Sequence, residues 1–451
     1  MNINMQNFRG LIAGAVLFLG IVYTTQGQAQ TGSAEIQLSL SELIERALQE
    51  NYQIRIVRNT ERTAANNNTR GNAGMLPEVN ITAQRRTSVN NSQQQFFTGD
   101  SQEANNAKST ATTANMEASW IVFDGLAMFA RKEQLAQLQQ LSKADTRFFM
   151  EQTVADLAST YYQLQQENQL LTAYRESLDV SQERLDFTEH SYELGNANML
   201  DVQLARVDCN TDSALIVNQL AQIQELTIVI NRLINRDLVT PIQTTDSIQL
   251  SPNLELPALA ASARTNNASL NQQQLAELIA ISEVDIRKGA LFPEVELYSS
   301  FGFNRQANEV GFLESSRSFG PEYGIRVRFN LFSGGREEAQ RQNSLIQVET
   351  EQLRTEDLIL ETEASLQVAY ARWQSRVRQT ELEQQSLAAA QEALFIAQRQ
   401  YELGALTNVD FRLIQLNVVN ANTRFLQAQL LAKQRELELL RLSGSLLEGG
   451  W

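Results

Sequence analysis

The uneven placement of glycine and proline restricts this chain more than any other feature. It has 21 Gly and 6 Pro in 451 residues. None falls between Gly125 and Gly195, between Gly195 and Pro241, between Gly335 and Gly404, or between Gly404 and Gly444. Those stretches are rich in Leu, Ala, Gln, Glu and Arg, side chains that lose little freedom in a helix. Each predicts one unbroken helix, with Gly195 and Gly404 as the turns between them. At 1.5 Å per residue the longer members reach on the order of 100 Å. That length points to coiled coil and away from a globular core.

The apolar spacing agrees. Met150, Leu157, Leu164, Leu171, Leu178, Leu185 and Tyr192 recur every seventh residue, as do Ile359, Leu366, Trp373, Leu387, Leu394 and Tyr401, with Thr380 as a polar interruption. Beyond the turns the stripe resumes at Val202, Cys209, Ile216, Ile223 and Ile230, and at Phe411, Val418, Phe425, Ala432 and Leu439. A sustained heptad keeps one seam against a neighbour. Cys209, the one cysteine, lies in that seam and reads as packing. With no second cysteine, an intrachain disulfide is impossible.

The chain also repeats itself. Tyr192-Glu193-Leu194-Gly195 returns as Tyr401-Glu402-Leu403-Gly404, and Asp201 as Asp410, all 209 residues on. Phe123 and Gly125 correspond to Phe332 and Gly334 at the same offset; Leu43, Ala47, Asn51 and Pro77-Glu78-Val79 correspond to Leu259, Ala263, Asn267 and Pro293-Glu294-Val295 at 216. Such spacing marks an internal duplication. Each half reads helix, strand, loop, strand, long helix, turn, returning helix. One helix is expected over about Ser41 to Asn72 and a return over about Asn196 to Arg236; stacked end to end they match the long helix, a hypothesis from counting alone.

The strands alternate. Val79, Ile81 and Ala83 share a side with Met116, Ala118, Trp120 and Val122; in the second half Val295, Leu297, Phe301 and Phe303 pair with Ile325, Val327, Phe329 and Leu331, with Arg326, Arg328 and Asn330 between the latter. Apolar outside and polar inside over about ten residues is the transmembrane barrel pattern, which a half-buried soluble sheet shares. The polar stretches Thr87–Thr113 and Arg305–Pro321 are expected as external loops. Four strands cannot lie in lipid with open edges, so membrane insertion requires further copies.

Charge and the amino terminus set the compartment. With 37 Lys plus Arg against 52 Asp plus Glu and a net charge of −15, nucleic acid is excluded as a partner. Arg9 precedes an apolar run from Leu11 to Tyr23, and Gly27-Gln28-Ala29 follows, the layout of a signal peptide over 1–29. The domain scheme is then 30–235 for the first repeat, 236–256 for an inter-repeat equatorial segment, 257–443 for the second repeat and 444–451 for a short tail.

On the Tyr-Glu-Leu-Gly turns with Asp201-Val202-Gln203 and Ala205-Arg206, the copy around Tyr401 and Asp410, the Pro-Glu-Val strand starts, and the Phe-Asp-Gly and Phe-Ser-Gly-Gly strand ends, the sequence resembles the TolC-type outer-membrane efflux protein family. The resemblance implies a mainly α fold with transmembrane β: a homotrimer whose twelve-stranded barrel, four strands per protomer, continues into a periplasmic helical coiled-coil tunnel. It implies an exit duct in the outer-membrane lipid that docks to a periplasmic adaptor and an inner-membrane efflux transporter or ABC exporter, without a cofactor. It places adaptor docking at Leu194, Gly195, Leu403 and Gly404, and a periplasmic gate at Asp201, Asp410, Tyr192 and Tyr401. Tyr401 would hydrogen-bond Asp201, and Asp410 would form an acidic ring. Two positions depart from the pattern: Leu406 replaces a bridging arginine and Leu413 a second ring aspartate.

Each residue also has a plainer reading. Asp201 and Asp410 lie near helix starts, where the dipole favours an acid anyway. Tyr192 and Tyr401 occupy heptad positions. His190 reads as an exposed helix residue, and one His with one Cys provides no metal cluster. No catalytic triad, phosphate-cradling loop or dinucleotide fingerprint is present, so no catalytic residue is assigned. A periplasmic adaptor and a structural coiled-coil envelope protein are the alternatives.

Overall fold

A computed structural model describes residues 37–251, 254–311 and 313–448. The signal-peptide segment 1–29 and the last residues of the tail lie outside them.

The heptad stretches form the expected helices. Helix α3 runs Ala127–Glu193 and α4 Met199–Leu233; α7 runs Arg336–Glu402 and α8 Asn408–Leu442. Each pair is an antiparallel hairpin. The stripe faces inward almost throughout: Leu157 and Leu164 are fully buried, as are Ile230 and Leu439, each adding roughly 1.5–3 kcal/mol of burial. Tyr192, at its end, is exposed.

The expected single helix over Ser41 to Asn72 is two, α1 Leu40–Glu50 and α2 Tyr52–Asn67. Asn51 breaks it. Its Oδ1 accepts from the Gln53 and Ile54 amides at 2.9 and 3.3 Å, while its Nδ2 donates to the Leu233 carbonyl at 2.9 Å. The second repeat does the same at Asn267, which separates α5 Leu256–Asn266 from α6 Ala268–Gly289; it caps Leu270 at 3.0 Å and reaches the Leu442 carbonyl at 2.8 Å. An asparagine that caps a new helix competes with continuing the old one, and here the same amide ties the joint to the end of the returning helix. The short helices and the returning helices both lie along the long ones: α1, α2 and α4 on α3, and α5, α6 and α8 on α7, with α6 also against α3.

Between α4 and α5 the chain crosses α3, and there β1 (Gln37–Leu38) pairs in parallel with β4 (Gln243–Thr244). Tyr161 on α3 fixes this crossing: its hydroxyl donates to Asp246 at 2.8 Å and accepts from the Thr245 amide at 3.2 Å.

The four long strands, β2 Glu78–Gln95, β3 Ser101–Phe123, β5 Glu294–Asn308 and β6 Ser315–Arg328, form one antiparallel sheet in the order β2-β3-β5-β6. The predicted partners meet, with Val79 opposite Ala118, Ile81 opposite Met116, and Leu297 opposite Ile325. Two expectations fail. The polar stretches expected as loops are largely strand, leaving, among the described residues, 96–100, 309–311 and 313–314 as connections, because ladder hydrogen bonds are indifferent to side-chain polarity. Phe329 and Leu331 lie beyond the end of β6, so Phe301 and Phe303 pair with Pro321 and Phe319 instead.

Where the sheet feeds the helices, Gly125 and Leu126 both adopt positive φ, +71° and +72°. A Cβ on Gly125 would stand 2.4 Å from the Gly289 carbonyl oxygen, so the two backbones are in direct contact.

Candidate functional site at the helical tips

Both hairpins turn by one device. Leu194 closes α3, Gly195 takes φ +79°, and the Asn196 amide returns to the Ser191 carbonyl at 2.8 Å. Leu403, Gly404 at φ +75° and the Ala405 amide on the Gln400 carbonyl at 2.9 Å repeat it. A left-handed residue after a helix end is where glycine costs least. The leucines before the glycines project into solvent, Leu194 at 78 % and Leu403 at 83 % exposure.

The returning helices start on capping residues. The Asn198 Oδ1 accepts from the Asp201 amide at 2.9 Å, and the Asp201 carboxylate accepts from the Asn198 amide at 3.4 Å. Thr407 caps α8, accepting from the Asp410 amide at 3.2 Å and donating to the Asp410 carboxylate at 2.6 Å. Each aspartate therefore serves its own helix start, Asp201 in a capping box and Asp410 through the Thr407 hydroxyl. Asp410 stays exposed.

Tyr401 does not reach Asp201. Its hydroxyl lies 3.2 Å from the Thr188 Oγ1, and its ring stacks on Phe411 at 5.0 Å and leans on Phe187 at 5.4 Å. Asp201 is occupied at its own cap, and its backbone carbonyl accepts from the Asn408 Nδ2 at 3.2 Å, which is how the two hairpins touch there. A cavity of about 180 Å³ lies beside this aromatic group, lined by Arg184, Phe187, Tyr401 and Phe411. Tyr192 has an exposed ring, so the two repeat-related tyrosines differ in surroundings. Leu406 is half-buried and Leu413 is 59 % exposed.

Below the turns lies a charged cluster that the sequence reading missed. Arg412 on α8 grips Asp212 on α4 with both terminal nitrogens, at 2.7 and 2.8 Å, and its Nε lies 3.6 Å from the Asp208 carboxylate. Ser181 on α3 donates to Asp212 at 2.6 Å. Gln415 donates to the Ser177 carbonyl at 2.7 Å, and Arg184 on α3 pairs with Asp208. Burial works against the Arg412 charge, but the Asp212 hydrogen bonds and charge outweigh it and raise its pKa. Burial also pushes up the Cys209 thiol, which keeps it protonated and suits packing. A signal for this cluster was present: Ser177, Ser181, Arg184 and Thr188 are spaced four, three and four apart, a polar stripe at core spacing. The heptad leucines beside it masked that stripe.

The geometry combines paired hairpins, a repeat-related set of turns and an antiparallel sheet with one apolar face. A model of the outer membrane efflux protein family matches residues 43–236 and 259–445. The chain belongs to the outer membrane efflux protein family. Its match therefore covers both repeats, and it is an outer-membrane protein. Among curated relatives, the probable efflux pump outer membrane protein TtgC and the antibiotic efflux pump outer membrane protein ArpC, both of Pseudomonas putida, are 24% identical over 303 residues, 66% of this chain. The chain spans 60% of the length of those relatives. Solved structures share the fold. The Campylobacter jejuni CmeC outer membrane channel superposes with a TM-score of 0.76 at 13% identity, over 90% of this chain and 86% of that one. The Vibrio cholerae outer membrane protein VceC gives 0.71 at 17%, over 90% and 96%.

Proposed function

We propose that three copies of this chain close into an outer-membrane exit duct, conducting solutes delivered by an inner-membrane efflux transporter or ABC exporter through a periplasmic adaptor. The observation that carries this reading is the set of surfaces that one copy leaves uncovered. Strands β2 and β6 are the two edges of the sheet, and in lipid their open backbone groups require partners. Pairing β6 of one copy with β2 of the next closes twelve strands. The helices repeat the point. Within the chain α6 fills the gap between α3 and α7, so by the duplication α2 of a neighbour would fill the far side of α7. That far side exposes Ile346, Leu353 and Leu360, seven residues apart, and α2 exposes Tyr52 and Ile56.

The tips supply the gate in this reading. Exposed Asp410 would give the closed end a ring of three carboxylates, and the projecting Leu194 and Leu403 beside Gly195 and Gly404 would take the adaptor. The test is a pair of measurements on the purified protein: crosslinking in detergent and conductance in planar bilayers. Trimers with cation-preferring pores are expected. A stable monomer that forms no pore overturns the reading.

A further inference from the structure

The sheet register carries a second site, which rests on the barrel reading. Along the apolar face, rows run across all four strands. Val79, Ala118, Ser299 and Tyr323 form one; Ile81, Met116, Phe301 and Pro321 the next; Ala83, Ala114, Phe303 and Phe319 the third. The row above them is Arg85, Thr112, Arg305 and Arg317. Lys108, opposite Val89, follows on the same face. The face thus turns abruptly from apolar to cationic, with no carboxylate in the arginine row; beside Lys108, the Glu309 carboxylate accepts from the Lys108 backbone amide at 2.9 Å. The opposite face is different: there Arg326 pairs with Glu296 at 2.6 Å and Arg328 with Glu294 at 3.1 Å. Arg85, Arg305 and Arg317 are exposed and make no ion pair among the described residues. The Arg317 guanidinium stands 5.5 Å from the Phe303 ring centre and 5.7 Å from that of Phe319, at the rim of the aromatic row.

The height of the row identifies its partner. The lower limit of the apolar face is Val295 opposite Val327, next to exposed Phe292, Phe329 and Phe332, an aromatic girdle. From Val295 to Arg305, ten residues at about 3.4 Å each and a tilt of about 40° rise about 26 Å. The apolar band of an outer-membrane barrel is about 25 Å tall. The arginines therefore stand at the level of the outer-leaflet headgroups. Arginine's planar fork matches phosphate oxygens. We propose that Arg85, Arg305 and Arg317 form a phosphate-binding row for phosphorylated glycolipid headgroups of the outer leaflet, repeated around the closed barrel.

The test is thermal unfolding of the full-length protein in uncharged detergent, titrated with diphosphorylated lipid A or the same glycolipid stripped of phosphate. Wild type and R85Q/R305Q/R317Q are compared, with Arg86→Gln on the opposite face as control. Stabilisation by the phosphorylated lipid alone is expected, with half-saturation shifted roughly 100-fold upward in the triple variant and unchanged in the control. If the triple variant fails to assemble, Arg85→Gln and Arg305→Gln singly should each shift it about 5-fold. Equal midpoints for wild type and variant overturn the proposal. So does equal stabilisation by the stripped lipid, or by inorganic phosphate. Pore conductance separates the two readings: a conducting trimer whose lipid response ignores the substitutions loses only the arginine row, whereas a poreless soluble protomer loses the barrel.

Discussion

Arg412 shows how much one side chain can hold. Its guanidinium reaches from the second hairpin into the first, where Asp212, Asp208 and Ser181 receive it. A buried ion pair adds little over a well-packed apolar pair, but removing one partner strands the other charge. Asp212→Asn should therefore destabilise the protein by about 3 kcal/mol. The double variant D212L/R412M should recover most of that loss. Denaturant unfolding followed by circular dichroism measures both. A double variant as weak as the single one would mean that shape, not stranded charge, sets the cost. Glu151 shows a milder form of the same physics: burial raises its pKa, against the opposing pull of the Arg147 hydrogen bond. The raised value means its contribution favours folding below the ordinary carboxylate range and fades as pH rises through the folded pKa.

Among the elements, the joints matter more than the shafts. The shafts follow from heptad spacing and tolerate exchange of one apolar residue for another of similar volume. The joints do not. At the strand-to-helix turn Gly125 has positive φ and the Gly289 backbone against it, whereas Gly195 has positive φ and open space. Gly125→Ala combines backbone strain with a backbone clash and should cost about 3 kcal/mol or more. Gly195→Ala meets strain alone and should cost about 1 kcal/mol. Comparing the melting temperatures of the two variants checks the difference. Equal losses would mean that the Gly125–Gly289 approach can relax.

At the scale of the molecule, one chain leaves two sheet edges open and an apolar heptad row on α7 facing away from its own helices. Under the proposed closure, the narrowest point falls where three copies of Asp410 converge. Asp410→Ala should raise single-channel conductance about twofold or more, since the smaller side chain widens the constriction, and weaken cation preference, since losing the carboxylates lowers the field that attracts cations. Thr407 would still cap α8 through the backbone amide, so folding should hold. Conductance and reversal potential unchanged in planar bilayers would remove Asp410 from the gate.

The sequence alone determined the four long helices, the duplication, the strand faces and the family, because these depend on local propensity and on spacing that repeats: the 3.6 and 2 residue periods are written into the order of residues. It foresaw the tip turns, since a left-handed position needs glycine. Tertiary structure decided what depends on pairs far apart in the chain. The partner of Tyr401 is Thr188, on the opposing hairpin, while the Asp201 carboxylate accepts from the Asn198 amide at its own helix start. The Asn51 and Asn267 breaks needed the Leu233 and Leu442 carbonyls to show their purpose. Of the Arg412 cluster the sequence carried only the polar stripe on α3; its partners on α4 and α8, like the arginine row, emerged once the fold fixed which residues share a height. Periodicity tells a residue which face it lies on; only the packed fold tells it what stands opposite.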